Sequence, residues 1–152
     1  MDGTLCDVSA VLHLQAMPDG FSAFHEACAD CPPHQAVIEW CLNHHRRGHA
    51  ILIVAGRDAW ARELTEQWLF EHLPVPFDGL HMRPDGDFRS NTHVKREIHS
   101  QLAMAYEIRA AIDDDSEIVE LWQELGIPVA MVLEWGQVVE SSTEEPGPDR
   151  RQ

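Results

Sequence analysis

The unbroken apolar run Ala50-Ile-Leu-Ile-Val-Ala55 constrains the fold more than any other stretch of this chain. A strand with one wet face alternates apolar and polar side chains, whereas an unbroken run suits a strand covered on both faces, the habit of parallel sheets. Helical patterns surround it. Phe21 to Ala29 reads as a short helix halted by Pro32-Pro33, and His34 to Arg47 places Val37, Ile38, Cys41 and Leu42 on one face before Gly48. Trp60, Leu64, Trp68 and Leu69 mark a third helix, and Asp78 to Met82 a short strand ahead of the turn Pro84 to Asp87. A helix from Asn91 or Thr92 carries Val94, Ile98 and Leu102; Ile108 to Ile112 is a strand, Ser116 to Leu125 a helix closing at Gly126, and Val129 to Leu133 a last strand. This alternation predicts the α/β class, a three-layer Rossmann-like parallel sheet flanked by helices, with ligands beyond the carboxyl ends of its strands.

The 152 residues suffice for one domain, expected over 1–136, and the acidic, proline-bearing stretch 137–152 reads as a disordered tail. No signal pattern and no long apolar run is visible, so the sequence predicts a soluble cytoplasmic protein without a membrane partner. Its net charge of -15, from 26 acidic against 11 basic residues, repels polyanions at long range. A nucleic-acid substrate would have to be held by a local basic site.

His25, Cys28, Cys31 and His34 fall three residues apart, which raises a zinc reading. Structural zinc sites usually join two ligand pairs across a longer loop, and equal spacing on one short helix separates the outer ligands too far. The favoured reading is small half-buried cysteines, reduced in a cytoplasmic setting.

Chemistry concentrates in the loops after the strands: Asp2-Gly3-Thr4, Gly56-Arg57, Lys95 and Asp113-Asp114. Clustered carboxylates suit Mg²⁺, a hard cation that prefers oxygen, and a lysine beside them would screen a phosphate dianion. Each has a plainer reading. An Asp-Gly-Thr is commonly a turn, and the acidic triplet Asp113-Asp114-Asp115 could simply cap the helix that follows.

Taken in order, these motifs resemble the haloacid dehalogenase superfamily. The strings Trp68-Leu69, His81-Met82-Arg83-Pro-Asp-Gly86-Asp87-Phe-Arg89, Val94-Lys95-Arg-Glu97-Ile98, Ala111-Ile112-Asp113-Asp114, Val119-Glu-Leu-Trp122 and Gly126 are similar to the 3′-phosphatase domain of phage polynucleotide kinases and its stand-alone bacterial relatives. The resemblance spans most of Asp2 to Gly136. It implies a Mg²⁺-dependent phosphomonoesterase with at most a minimal cap, acting on a nucleotide or polynucleotide 3′-phosphate; a separate kinase is the partner expected of the rival inactive-module reading. By the same resemblance Asp2 is the general acid-base and offers its backbone carbonyl to the metal. Asp113 and Asp114 hold that metal, Thr4 and Lys95 contact the phosphoryl group, and Arg57, Arg83 and Arg89 surround the substrate.

Three departures shape the expectation. The family phrase is Asp-x-Asp-Gly-Thr, whose first aspartate is the nucleophile, and here Met1 stands at the x. An apolar strand ending in aspartate is therefore expected ahead of Met1, because leaving it out would expose two sheet edges. Ala55 stands where the family has Ser or Thr, and Asp115 where the kinase-linked relatives have Arg. The rival readings are an inactive phosphate-binding or regulatory module and a phosphatase of small metabolites.

Overall fold

The computed structural model describes residues 1–18 and 20–140; the part of the expected tail from 141 onward lies outside them. In chain order the elements are α1 (Gly20–Ala27), α2 (Gln35–Arg46), β1 (Leu52–Asp58), α3 (Arg62–His72), β2 (Gly79–Arg83), α4 (Asn91–Leu102), β3 (Ala111–Asp113), α5 (Ser116–Glu124), β4 (Val129–Val132) and β5 (Val138–Glu140). A 3₁₀ turn over Leu12–Ala16 precedes α1 and was not expected from the sequence. Among the described residues no helix is long and apolar enough to cross a membrane.

The strands form two parallel β-α-β units. β1 pairs parallel with β2 from Leu52↔Gly79 to Asp58↔Arg83, and β3 pairs parallel with β4 from Ala111↔Val129 to Asp113↔Met131. β1 and β3 are not paired with each other. Both instead line one cavity of about 380 Å³, β1 with Leu52, Ile53 and Val54 and β3 with Ala111, Ile112 and Asp113, while Met1 and Thr4 also reach into it. The single parallel sheet of the sequence reading is thus present as two halves with a gap between them.

Several boundaries differ from expectation, β1 among them, which runs past Ala55 to Asp58 through a bulge. β3 starts at Ala111 and not Ile108, because the Ala111 amide donates to the carbonyl of Pro128, which has no N–H with which to continue the ladder. The tail expected from 137 begins instead with β5, antiparallel to β4 through Met131↔Val139 and Val132↔Val138. Three residues are too few for a visible alternation.

The main core gathers Phe24, Val37, Ile38, Cys41, Ile53, Ala55, Trp68 and Leu69 between α1, α2, α3 and β1. Trp68 is fully buried, and its indole N–H donates to the Cys31 carbonyl at 2.8 Å, satisfying its one polar atom. A second cluster packs Ile118, Leu121 and Trp122 of α5 against Ile127 and Val129, and a third seats Val94, Ile98 and Leu102 of α4 against Leu52 and Val54 of β1.

Candidate active site

The amino-terminal loop is set by glycine. Gly3 has φ +74°, and a Cβ there would lie 2.2 Å from Asp114 Oδ2, so only glycine allows the loop to press against the end of β3. Thr4, itself buried, completes the junction by donating its hydroxyl to Asp114 Oδ1 at 2.7 Å. The Thr4 carbonyl is hydrogen-bonded to His34 Nδ1 at 2.8 Å, which ties the same loop to the start of α2.

Arg57 enters from the bulge in β1, where the register with β2 shifts between Ala55 and Asp58. Its guanidinium is 1% exposed, and Nε lies 3.0 Å from both oxygens of Asp2 while Nη1 donates to Thr65 Oγ1 at 3.0 Å. Burial would push the Asp2 carboxyl up, but the hydrogen bonds and charge of Arg57 outweigh it and hold the pKa below the ordinary carboxylate value. Asp2 is therefore ionised at neutral pH. Arg57, expected around the substrate, does not line the cavity in front of Asp2; it positions Asp2 from behind. Thr65 was not singled out in the sequence, and no motif there announces it.

The acidic triplet divides its labour. Asp115 is the cap of α5, accepting from the Glu117 amide at 2.9 Å. Asp114 takes the Thr4 hydroxyl, and Asp113, 6% exposed, accepts Lys95 Nζ on Oδ2 at 2.6 Å. Lys95 comes from the second turn of α4, whose amino end is capped by Ser90 accepting from His93 N. A buried lysine without a counter-charge would be costly, so this pairing fixes both side chains.

Asp113 and Asp114 offer hard oxygen donors of the kind Mg²⁺ prefers. The side chain of Asp2, however, is turned onto Arg57, and among the described residues no three metal-ligating side chains come together. The backbone carbonyl of Asp2, which the resemblance assigns to the metal, is a separate atom from the carboxylate that Arg57 holds. Cys6, Cys28, Cys31 and Cys41 are free and buried in the core, where half-buried cysteines were expected. Ala55 is fully buried in β1.

A cavity of about 910 Å³ opens in front of Asp2 and is lined by Gly3, His25, Arg83, Arg89, Lys95 and Asp114 among others. Arg83 and Arg89 line it, and both guanidinium groups are engaged. Arg83 donates to the carbonyls of Gly56, Asp87 and Arg89 and to Asn91 Oδ1, and Arg89 pairs with Asp87 and Glu97. The pairing with Arg89 lowers the Asp87 pKa to about 2. Gly56 lets Asn91 in, because a Cβ there would lie 2.9 Å from Asn91 Oδ1. His25 of α1 covers the cavity from the other side; it is 5% exposed, and its Nδ1 has no hydrogen-bond partner. Sequence spacing had suggested only a metal role for it.

Comparison with known proteins adds two findings. The family described as the polynucleotide kinase PNKP phosphatase domain matches residues 1–135. Two solved structures, titled "Structure of the Pnkp1/Rnl/Hen1 RNA repair complex" and "Structure of Pnkp1/Rnl/Hen1 complex", contain chains that share its fold, with TM-scores of 0.73 and 0.72 at 24% identity. The match covers 87% of this chain and 40% and 43% of theirs, so the present chain spans less than half the length of those it matches.

Proposed function

Since the chain belongs to the polynucleotide kinase phosphatase domain family, of haloacid dehalogenase type, we propose that it is the phosphatase module of a cytoplasmic enzyme that removes phosphate from nucleic-acid ends, the 3′-phosphate above all. The observation that carries this reading is the junction of Asp2, Thr4 and Asp114 at the carboxyl end of β3, with the Lys95–Asp113 pair beside it. Two anchored loops and a cation meet where a phosphoryl group would sit.

In the proposed reaction the nucleophile is a carboxylate two residues before Asp2, delivered by a strand running in the gap between β1 and β3. Asp2 is ionised by Arg57, so it is ready to take the proton of the water that hydrolyses the phosphoaspartate. To protonate the departing oxygen in the first half-reaction it must slacken its grip on Arg57. Lys95 and Thr4 would orient the phosphoryl oxygens. Mg²⁺ held by Asp113 and Asp114 would supply charge neutralisation between nucleophile and phosphate dianion. A separate kinase and other end-processing enzymes are the natural partners of such a module.

The test compares residues 1–152 with the same residues fused, ahead of Met1, to about five apolar residues and an aspartate, enough to span the gap. With Mg²⁺ and a 3′-phosphorylated oligonucleotide, the extended chain is expected to turn over and residues 1–152 alone to be inert. Turnover that survives Asp2→Asn overturns the mechanism, and preference for a small chromogenic phosphate over the oligonucleotide moves the assignment to metabolite phosphatases.

A further inference from the structure

The mouth of the cavity in front of Asp2 carries aromatic rings that no part of the phosphatase chemistry uses. Phe88 is 98% exposed and Trp135 is 95% exposed, and both line this cavity together with Phe21. Single exposed apolar residues are ordinary on protein surfaces. These two are unusual in how firmly they are held out.

Phe88 sits between the two carbonyls that Arg83 Nη1 grips, Asp87 O at 3.0 Å and Arg89 O at 2.6 Å. The Asp87 carboxylate also accepts the Arg89 amide at 3.0 Å, closing the backbone around the ring from the other side. A loop braced on both flanks would normally be braced in order to bury something; here it presents a phenyl ring to solvent.

Trp135 stands on the turn between β4 and β5 with φ +68°, and among the described residues it is alone outside glycine in having a positive φ. A bulky side chain rarely adopts that conformation. The turn is pinned, because Gly136 packs so closely on His34 that a Cβ would meet its ring at 2.7 Å, and His34 in turn is bonded to the Thr4 carbonyl. Trp135 is thus fixed in relation to the loop that bears Asp2.

We propose that Phe88 and Trp135 form a stacking platform for the nucleobases of a single-stranded nucleic-acid end whose terminal phosphate enters the cavity. This rests on the phosphatase reading above and says how the substrate is gripped. The alternative grip, cations along the phosphate backbone, is poorly served here: the chain carries -15, Arg57 is committed to Asp2, and Arg89 is committed to Asp87 and Glu97. Stacking needs no charge. Every base has a π face, so such a grip tolerates sequence and requires the end to be unpaired.

The experiment measures binding to the 152-residue chain by titration of three probes: a single-stranded oligonucleotide 3′-phosphate, the same oligonucleotide with its last two nucleotides abasic, and inorganic phosphate. The platform predicts that Phe88→Ala and Trp135→Ala each weaken the intact oligonucleotide about tenfold, the scale of one stacked base. Both variants should leave inorganic phosphate unchanged, Phe88→Tyr should restore affinity, and the dependence on salt should be shallow. Equal affinity for the intact and abasic oligonucleotides, with both alanine variants silent, overturns the platform and leaves the phosphatase reading standing. Retained binding of inorganic phosphate with no binding of either oligonucleotide overturns the nucleic-acid substrate and the platform with it.

Discussion

Arg57 lies behind Asp2 with Nε 3.0 Å from each of its carboxylate oxygens, and almost none of the guanidinium reaches water. The catalytic candidate is therefore also half of a largely buried ion pair. Asp2→Asn should destabilise the chain by about 2–3 kcal/mol, somewhat below the 3–5 kcal/mol typical of breaking a buried pair, since Asp2 keeps 22% exposure. Urea unfolding of the variant measures it directly, and an unchanged midpoint would mean that the pair contributes nothing to folding.

His25 and Asp2 are among the groups whose lowered pKa shapes the acid limb of the stability curve. His25 has its pKa lowered chiefly by burial, so the unfolded chain binds a proton that the folded chain refuses. Its contribution is whole above its ordinary value and is lost as pH falls through that value toward the lowered one. Asp2, held low by Arg57 against its own burial, behaves likewise in more acid solution, losing its contribution below the ordinary carboxylate value. Stability should therefore begin to fall as pH drops below about 6.5, with a slope of no more than about 1.4 kcal/mol per pH unit from His25. His25→Phe should flatten that segment, as unfolding curves at pH 7.5, 6 and 5 would reveal.

Divalent metal should bind weakly, in competition with Lys95 for Asp113. Lys95→Met frees Asp113 Oδ2 and is expected to tighten Mg²⁺ by about tenfold, on the scale of one charge contact. Asp114→Asn should weaken Mg²⁺ by a similar factor. Isothermal titration with Mg²⁺ checks both, and an identical affinity in all three proteins would place the metal elsewhere.

Gly3→Ala should be disproportionately damaging for one methyl group. The left-handed backbone alone costs about 1–2 kcal/mol for an L side chain, and the new Cβ would displace Asp114 from Thr4. Amide exchange at Gly3 to Cys6 and at Asp114 should accelerate together. Acceleration at one loop without the other would show that they are not mechanically joined.

How much of this was legible beforehand varies with the kind of interaction. The helices of the β-α-β units were readable because each is long enough to carry a period, and β1 because buried Ile51, Ile53 and Ala55 alternate with Leu52 and Val54, which pack partly buried against α4, leaving no polar residue between Ala50 and Ala55. Its extension to Asp58 was not, since a bulge at Gly56-Arg57 carries the pairing past the apolar run. The residues of the site were legible as motifs, but their partners were not. Nothing in the spacing of Asp2 and Arg57, or of Lys95 and Asp113, says which charges meet, because that depends on how separate elements pack. Arg83 shows the same limit: its string marked it as important, while its task of bracketing Phe88 becomes visible only from the carbonyls around it.

The gap between β1 and β3 bears on cooperativity. Each side of it is a closed β-α-β unit, and the main apolar cluster ties the two together by taking in Val132 of β4 and packing Ile112 and Val138 against it; regions with few further links still open in sub-global steps. Here the links at the carboxyl end are the contacts of the site itself, Thr4 to Asp114 and Lys95 to Asp113, reinforced by α4 lying across β1. The rivets between the two lobes and the groups that would meet the phosphate are the same side chains. A ligand that engages them is also a fastener, so occupancy should raise and sharpen the melting transition.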